Sequence, residues 1–212
     1  MQAFHLDTVD STNEVAKRLI AEGRLNARGY VLAREQTSGR GQRGRVWVSP
    51  PDAGIYLSVV DRPSGGDPDL SLYTRAAGVA CASVLSEATG LDIRIKPVND
   101  LYVEGRKLGG ILTEAMIEYG TLRALITGIG INTRAVPRDV HDALVAPISL
   151  QDLLSPQQFA FLDTNALAAR IAQKVIQWNV AVAGGDLERL HAQWRHFRVD
   201  ERDFIEARSA LE

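Results

Sequence analysis

Residues 93–131, IRIKPVNDLYVEGRKLGGILTEAMIEYGTLRALITGIGI, contain the clearest strand signals in the chain. Residues 107–117 and 122–131 are Ile-rich apolar runs of strand length, and residues 93–95 form a shorter run of the same kind. Glu104-Gly105 between them has the composition of a hairpin turn. Because strands joined by tight turns pair antiparallel, this segment predicts a largely antiparallel sheet.

Apolar residues at helical spacing on both sides of this segment predict the helices. Capping residues at 10–14 precede the first helix, which should end near Gly23. The other expected elements are strands at residues 4–6, 30–36 and 54–60, and helices at residues 70–89, 149–154, 165–183 and 187–194. We therefore expect an α+β domain with a mixed, largely antiparallel sheet and helices mainly on one face.

Composition limits the classes of function. The 212 residues carry a net charge of −2, whereas a generic nucleic-acid binder needs excess Lys and Arg over a whole face. Cys81 is the single cysteine, which excludes an intrachain disulfide and a Cys-based zinc site and suits a reducing compartment. The four histidines lack metal-ligand spacing, so no metal site built from protein ligands is expected. The sequence contains neither a signal peptide nor an apolar run of about 18 residues, which predicts a cytoplasmic protein without membrane contact.

The strongest local motif is Gly39-Arg40-Gly41-Gln42-Arg43-Gly44-Arg45-Val46-Trp47. Its backbone N–H groups and guanidinium groups are suited to phosphate or carboxylate. The glycines also match the G-x-G-x-x-G dinucleotide fingerprint, but that fingerprint needs a helix after the third glycine, and here Pro50-Pro51 and a strand follow. A protein kinase is excluded as well, because its catalytic-loop and metal-binding motifs are absent. Taken alone, the motif is also compatible with a solvated basic loop.

A second group of motifs follows in the strand-rich segment. Lys107 lies close to Gly109-Gly110, and a glycine pair inside a strand marks the close approach of a ligand or another backbone. Each motif has a purely structural alternative: Ser11 and Asn13 as helix caps, Asn99-Asp100 as a turn, Trp47 as a residue beside the core and Lys107 as a solvated edge lysine.

In combination, the motifs resemble the catalytic domain of the biotin protein ligase family. They comprise Ser11-Thr12-Asn13, the Gly39–Trp47 loop, Lys96-Pro97-Val98-Asn99-Asp100, Lys107 with Gly110-Ile111-Leu112, and Gly128-Ile129-Gly130-Ile131-Asn132. They occur in the family's order over about residues 8–132. The resemblance implies a catalytic domain at residues 1–197 and a short tail at residues 198–212, with the family's small β-barrel absent or truncated.

The resemblance implies a two-step reaction, in which biotin and Mg-ATP form biotinyl-5'-AMP and biotin is then transferred to a lysine of a biotin carboxyl carrier protein. It assigns catalysis to Lys107, which would contact the biotin carboxylate and the α-phosphate, together with Arg43. Residues that would surround biotin are Ser11, Thr12, Gln36, Gly39, Arg40 and Gly110, and Asn13, Gly41 and Gln42 belong to the same motifs. Residues that would face the nucleotide, its phosphates and Mg²⁺ are Arg43, Arg45, Trp47, Asn99, Asp100, Gly128 and Asn132.

The chain departs from the family pattern at two positions. Gln42 stands where the family usually has an arginine that neutralises the adenylate phosphate, so the intermediate is expected to be retained less well unless Arg43 replaces that contact. Pro97-Val98 replaces a Trp-Pro pair. The resemblance also allows a homodimer, and a repressor function is not expected because no DNA-binding segment precedes Met1.

Two other functions remain open at this point. A lipoate or octanoate ligase or transferase would need a longer apolar slot in place of the hydrogen-bonding residues Ser11, Thr12 and Gln36. A non-catalytic biotin-binding relative is suggested by Gln42 and by the expected absence of the C-terminal barrel, whereas the presence of Lys107 argues against it.

Overall fold

A mixed seven-stranded sheet forms the centre of the computed structural model, which describes residues 1–63, 69–134 and 147–199. The strands are β1 Gln2–Val9, β2 Gly29–Gln36, β3 Gly54–Asp61, β4 Arg94–Lys96, β5 Asp100–Val103, β6 Arg106–Glu118 and β7 Thr121–Asn132. Their order is β1-β2-β3-β7-β6-β5-β4. β1 pairs with β2 in parallel and the other neighbours pair antiparallel, which confirms the predicted sheet.

The helices are divided unequally between the two faces of the sheet. They are α1 Thr12–Ala21, α2 Leu70–Thr89, α3 Leu150–Leu153, α4 Pro156–Ala160, α5 Thr164–Ala183 and α6 Leu187–Phe197. α2, α5 and α6 bury the larger core against one face, and α1 covers a smaller core on the other. The predicted arrangement, with helices mainly on one face, is confirmed.

Alternation along β6 and β7 determines which residues face the α1 side. Successive side chains of a strand point to opposite faces. Ile129 and Ile131 belong to the larger core, whereas Ala124 and Ile126 pack under α1. Gly128 and Gly130 alternate in phase with Ala124 and Ile126, so both glycines lie on the face of the sheet that α1 covers.

Two short elements were not predicted. β5 begins at Asp100, inside the turn expected at residues 99–100, and α4 begins at Pro156 with a capping box formed by Ser155 and Gln158. Arg198 and Val199 extend the sheet beside β4, where the Val199 N–H donates to the Ile95 carbonyl at 3.0 Å. The remaining predicted tail, residues 200–212, and most of the turn predicted at residues 62–67 lie outside the described residues. Among the described helices, none has the length and apolar character needed to cross a membrane.

Candidate active site

A cavity of about 770 Å³ opens on the α1 face of the sheet. β6 and β7 supply its floor, and its walls come from the start of α1, the end of β2 and residues 40–48. Every predicted site residue except Gly39 lines it: Ser11, Thr12, Asn13, Gln36, Arg40, Gly41, Gln42, Arg43, Arg45, Trp47, Asn99, Asp100, Lys107, Gly110, Gly128 and Asn132. The structure thus brings these residues together, and their individual roles stay predictions.

The indole of Trp47 lies against the glycines of the cavity floor. A Cβ atom on Gly130 would lie 2.3 Å from the Trp47 ring, and one on Gly110 would lie 3.3 Å from it. Gly128 instead leaves space for Asn13, whose Oδ1 would be 2.7 Å from an added Cβ. Trp47 therefore belongs to the cavity rather than to either hydrophobic core. Gly130 is a floor residue that stands in the Gly128–Asn132 motif but for which no role was predicted.

Lys107 is held at the cavity by contacts on three sides. Its Nζ lies 2.8 Å from Asp100 Oδ1 and 5.6 Å from the centroid of the Trp47 ring. Its carbonyl accepts a hydrogen bond from the Ile148 N–H at 2.9 Å. Only 24% of the side chain is exposed, so the alternative of a solvated edge lysine is wrong.

A hydrogen-bonded chain of polar side chains lies under the cavity wall. The Thr12 N–H and hydroxyl both donate to Gln36 Oε1, at 2.9 and 3.1 Å. Gln36 Nε2 donates to Ser49 Oγ at 2.8 Å, and the Ser49 hydroxyl donates to the Trp47 carbonyl at 3.1 Å. Since the backbone N–H of Thr12 can only donate, this chain fixes the orientation of the Gln36 amide.

Ser58 on β3 connects this chain to Asn13. Its hydroxyl, which is fully buried, lies 2.7 Å from Thr12 Oγ1 and 2.5 Å from Asn13 Oδ1. Asn13 Nδ2 donates in turn to Glu114 Oε2 at 2.6 Å. The sequence predicted no role for Ser58, Ser49 or Glu114. Alternation along β3 and β6 places Ser58 and Glu114 on the α1 face, and Ser49 lies in the loop beside it.

Residues 39–47 form a short hairpin, named here the arginine hairpin. The Gly41 N–H donates to the Arg45 carbonyl at 2.7 Å, and the Trp47 N–H donates to the Gly39 carbonyl at 2.9 Å. Arg43 lies at its tip with a φ of 57°. A Cβ on Gly39 would lie 2.3 Å from the Trp47 carbonyl oxygen. Close backbone packing therefore accounts for a glycine at this position, and its expected contact with the ligand stays a prediction.

Three predicted binding residues use their side chains in internal contacts. Asn99 Nδ2 donates to the Ile111 carbonyl at 3.1 Å, and Asn132 Nδ2 donates to the Ile148 carbonyl at 3.1 Å. Arg40 forms ion pairs with Glu14 and Glu114. By contrast, Ser11 occupies the N-cap position of α1 without a capping hydrogen bond from its side chain, so the capping alternative is not supported for it.

Comparisons with known proteins identify the family of this chain. A model of the Biotin/lipoate A/B protein ligase family matches residues 6–132. The Bifunctional ligase/repressor BirA of Bacillus subtilis is 37% identical over 137 residues, which are 65% of this chain and 41% of that protein. The Biotin--[acetyl-CoA-carboxylase] ligase of Paracoccus denitrificans is 37% identical over 177 residues, which are 79% of this chain and 72% of that protein.

The structural likeness extends over most of the chain. A biotin protein ligase from Aquifex aeolicus, solved in complex with biotin and ATP, superposes with a TM-score of 0.76 over 93% of this chain and 78% of that one, at 24% identity. At that identity it supports the fold alone. The chain spans about half the length of the first curated relatives, 41% and 51%. From the family match and the Paracoccus relative, the chain belongs to the biotin/lipoate A/B protein ligase family.

Proposed function

We propose that this chain activates biotin with Mg-ATP to biotinyl-5'-AMP and transfers the biotinyl group to a lysine of a biotin carboxyl carrier protein. The observation that carries the proposal is the position of Lys107. Its ammonium group lines a cavity beside Asp100 and the Trp47 indole, and the arginines of the arginine hairpin line the same cavity. Relatives named as biotin ligases support the choice of reaction.

The first step needs positive charge, because it joins two anions. A carboxylate oxygen of biotin forms a bond to the α-phosphorus of ATP, and the bond from that phosphorus to the bridging oxygen breaks, so that pyrophosphate leaves. Cations placed where charge develops lower this barrier. Lys107, Arg43 and Arg45 line the cavity and are the groups proposed to do so.

The second step needs a site that excludes water, since an acyl-phosphate anhydride is open to hydrolysis. The amine nitrogen of the carrier lysine forms a bond to the acyl carbon, the carbon–oxygen bond to the phosphate breaks, and AMP leaves with the electron pair. The proton of the attacking amine is lost to a base or to solvent. The arginine hairpin and the Trp47 indole are proposed to shield the adenylate during this step.

Polar groups at one end of the cavity favour biotin over lipoate. Ser11 is buried and has no side-chain hydrogen bond to its helix, while Thr12 and Gln36 are held in a fixed orientation. A ureido ring can pair with the Ser11 hydroxyl, whereas a dithiolane ring or alkyl chain would leave this hydroxyl unpaired at a cost in affinity.

Mg²⁺ enters the proposal as an ion bound mainly by the ATP phosphates. Among the residues that the structure describes, no group of three or more His, Cys, Asp and Glu side chains could hold a metal ion. Mg²⁺ commonly takes one or two carboxylates together with substrate phosphates and water. Among the described residues that line the cavity, Asp100 is the one carboxylate, so it fits this mode, and the ion would neutralise phosphate charge.

Two further expectations belong to the same proposal. A cytoplasmic location is supported by the need for ATP and by the free, buried thiol of Cys81, which suits a reducing compartment. A homodimer stays a prediction of the family resemblance.

The test is biotin-dependent exchange of labelled pyrophosphate into ATP, measured without the carrier. We expect exchange in the wild type and a loss of about 100-fold or more in Lys107→Ala, since a preorganised charge at the reacting group commonly contributes that much. Lys174→Ala, which removes the same charge from α5, should retain activity. Equal exchange with lipoate would favour the second candidate acid, and biotin binding without exchange would favour a non-catalytic binder.

A further inference from the structure

Four charged side chains form a cluster at the rim of the cavity, named here the rim cluster: Glu14 and Lys17 from α1, Arg40 from the arginine hairpin and Glu114 from β6. Lys17 Nζ lies 2.9 Å from Glu14 Oε1 and 3.1 Å from Glu114 Oε1. Arg40 Nη2 lies 3.1 Å from Glu114 Oε1 and also pairs with Glu14. Two carboxylates and two cations thus join three elements that are distant in sequence.

Glu114 is the member with the most contacts. Besides Lys17 and Arg40, it accepts a hydrogen bond from Asn13 Nδ2 at 2.6 Å, and only 25% of its side chain is exposed. Burial would raise the pKa of this carboxyl, but the hydrogen bonds from Asn13 and Lys17 and the charges of Lys17 and Arg40 outweigh burial, so the pKa is lowered. Glu114 is therefore ionised at neutral pH.

An ionised carboxylate determines the orientation of the neighbouring amide. Because it can only accept hydrogen bonds, Asn13 must present its nitrogen to Glu114 and its oxygen to the Ser58 hydroxyl. Asn13 lines the cavity, whereas Glu114 does not. Glu114 can therefore influence a ligand only through other residues.

Isolated surface ion pairs contribute little, but this arrangement differs from such pairs in two respects. The Glu114 carboxylate is three-quarters buried, and it accepts from three donors on two different elements. Arg40 also follows Gly39, which is packed tightly against the Trp47 backbone. Movement of the arginine hairpin away from the sheet would therefore have to break the Arg40 contacts.

We propose that Glu114 is a positioning residue that holds the arginine hairpin against α1 through Arg40 and fixes the amide of Asn13, so that the cavity is shaped before its ligand enters. The contacts of Glu114 with Arg40 and Asn13 are independent of what the chain binds. The effect on biotin rests on the proposed function.

The first test uses the folded chain without ligands. Glu114→Gln keeps the size of the side chain and an acceptor oxygen for Asn13, but it removes the charge that holds Arg40 and Lys17. Trypsin must take the Arg40 side chain into its own pocket, so cleavage after Arg40 should accelerate by about 10-fold, as expected for loss of a coupled charge contact. Fragments identified by mass spectrometry separate this cleavage from cleavage after Arg43 and Arg45.

The control is Glu118→Gln on the same strand, where the carboxylate is half-exposed and pairs with Arg123 at 3.5 Å. It should leave the cleavage rate after Arg40 unchanged. If Glu114→Gln does not fold, as judged by circular dichroism, Glu14→Gln tests the same contact, because it removes the other carboxylate that holds Arg40. A wild-type rate of cleavage after Arg40 in the folded variants would overturn the proposal, whatever the chain binds.

The second test measures pyrophosphate exchange at varied biotin concentration. A positioning role predicts a KM for biotin that rises about 10-fold in Glu114→Gln with kcat within about 2-fold, because binding is weakened while the groups at the reacting atoms remain. A fall in kcat with an unchanged KM would overturn the positioning role. The two proposals can also fail separately. If Glu114→Gln accelerates cleavage after Arg40 but the wild type shows no biotin-dependent exchange, the hairpin contact is retained and the proposed function is refuted.

Discussion

Ser58 has one hydroxyl hydrogen and lies within hydrogen-bond distance of two acceptors, Thr12 Oγ1 and Asn13 Oδ1. Because Asn13 Nδ2 is directed to Glu114, Asn13 Oδ1 needs a donor, and the buried hydroxyl of Ser58 supplies it. The Thr12 hydroxyl donates to Gln36 and also accepts from Ser58, so the single Ser58 hydrogen is shared between Thr12 Oγ1 and Asn13 Oδ1. At the scale of single residues, the orientations of the cavity's polar groups are thus set by residues behind its wall.

Replacing Ser58 with alanine should weaken both the fold and the site. Asn13 Oδ1 would lose its donor in a buried position, which costs about 1 to 3 kcal/mol of unfolding free energy. Urea unfolding measures that loss, and calorimetry with biotin measures the accompanying fall in affinity.

Ser83→Ala provides the matched control for this variant. The Ser83 hydroxyl bonds only to the Ala80 carbonyl of its own helix, so a change within about 0.5 kcal/mol is expected. Equal stability of Ser58→Ala and the wild type would contradict the role given to this hydroxyl.

Some residues of the site could be predicted from the sequence and others could not, depending on how far apart in the chain the contacting residues lie. Ser11, Thr12 and Asn13 are contiguous, and a contiguous motif is visible in one sequence. Glu114 meets Asn13 across 101 positions, and Ser58 meets it across 45. Contacts of that separation depend on how β3, β7 and β6 pair, and a hydropathy pattern alone does not specify this pairing.

At the scale of elements, the sequence predicted the bounds of a helix correctly where capping residues mark its start and its end. α2 was expected at residues 70–89 and occupies them, because Asp69 caps its start and Gly90, with a φ of 74°, ends it. β5 has four residues, and the first of them, Asp100, lies in the turn that the sequence predicts at residues 99–100. α4 was missed although Ser155-Pro156 and Gln158 form a recognisable helix start. Short elements supply too few residues for periodicity to be detected.

In the arginine hairpin, we expect that an arginine in place of Gln42 strengthens retention of the adenylate. This neutral side chain lines the cavity beside Arg43, at the position where the family resemblance implies an arginine. A charge-assisted hydrogen bond contributes roughly 1.5 to 3 kcal/mol. Gln42→Arg should therefore slow the release of preformed biotinyl-adenylate by about 10-fold or more, as measured by chasing labelled adenylate from the enzyme.

Gln173→Arg adds the same charge to an exposed position of α5 and should not change adenylate release. If Gln42→Arg also leaves the release rate unchanged, Arg43 already supplies the phosphate contact. In that case the departure at position 42 has no consequence for retention of the intermediate.

At the scale of the whole molecule, Cys81 reports on the larger core. It lies on α2, fully buried in the core that α2, α5 and α6 form against the sheet. Burial raises the pKa of its thiol, so the reactive thiolate is scarce as well as inaccessible. Reagents should therefore reach Cys81 only when the core opens.

The prediction is that a thiol reagent labels native Cys81 at a rate set by global unfolding, at least about 1,000-fold slower than an exposed thiol. Gln173→Cys places a second thiol on the exposed face of α5 as an internal reference. A ligand that binds only the folded chain adds protection by mass action, about 100-fold at a free concentration of 100 times its Kd. Biotin with ATP should therefore slow labelling of Cys81 but not of the reference thiol. Labelling of Cys81 as fast as the reference would mean that the core beneath the sheet opens locally, and the cavity on the opposite face would then lack the rigid support that its hydrogen-bonded wall requires.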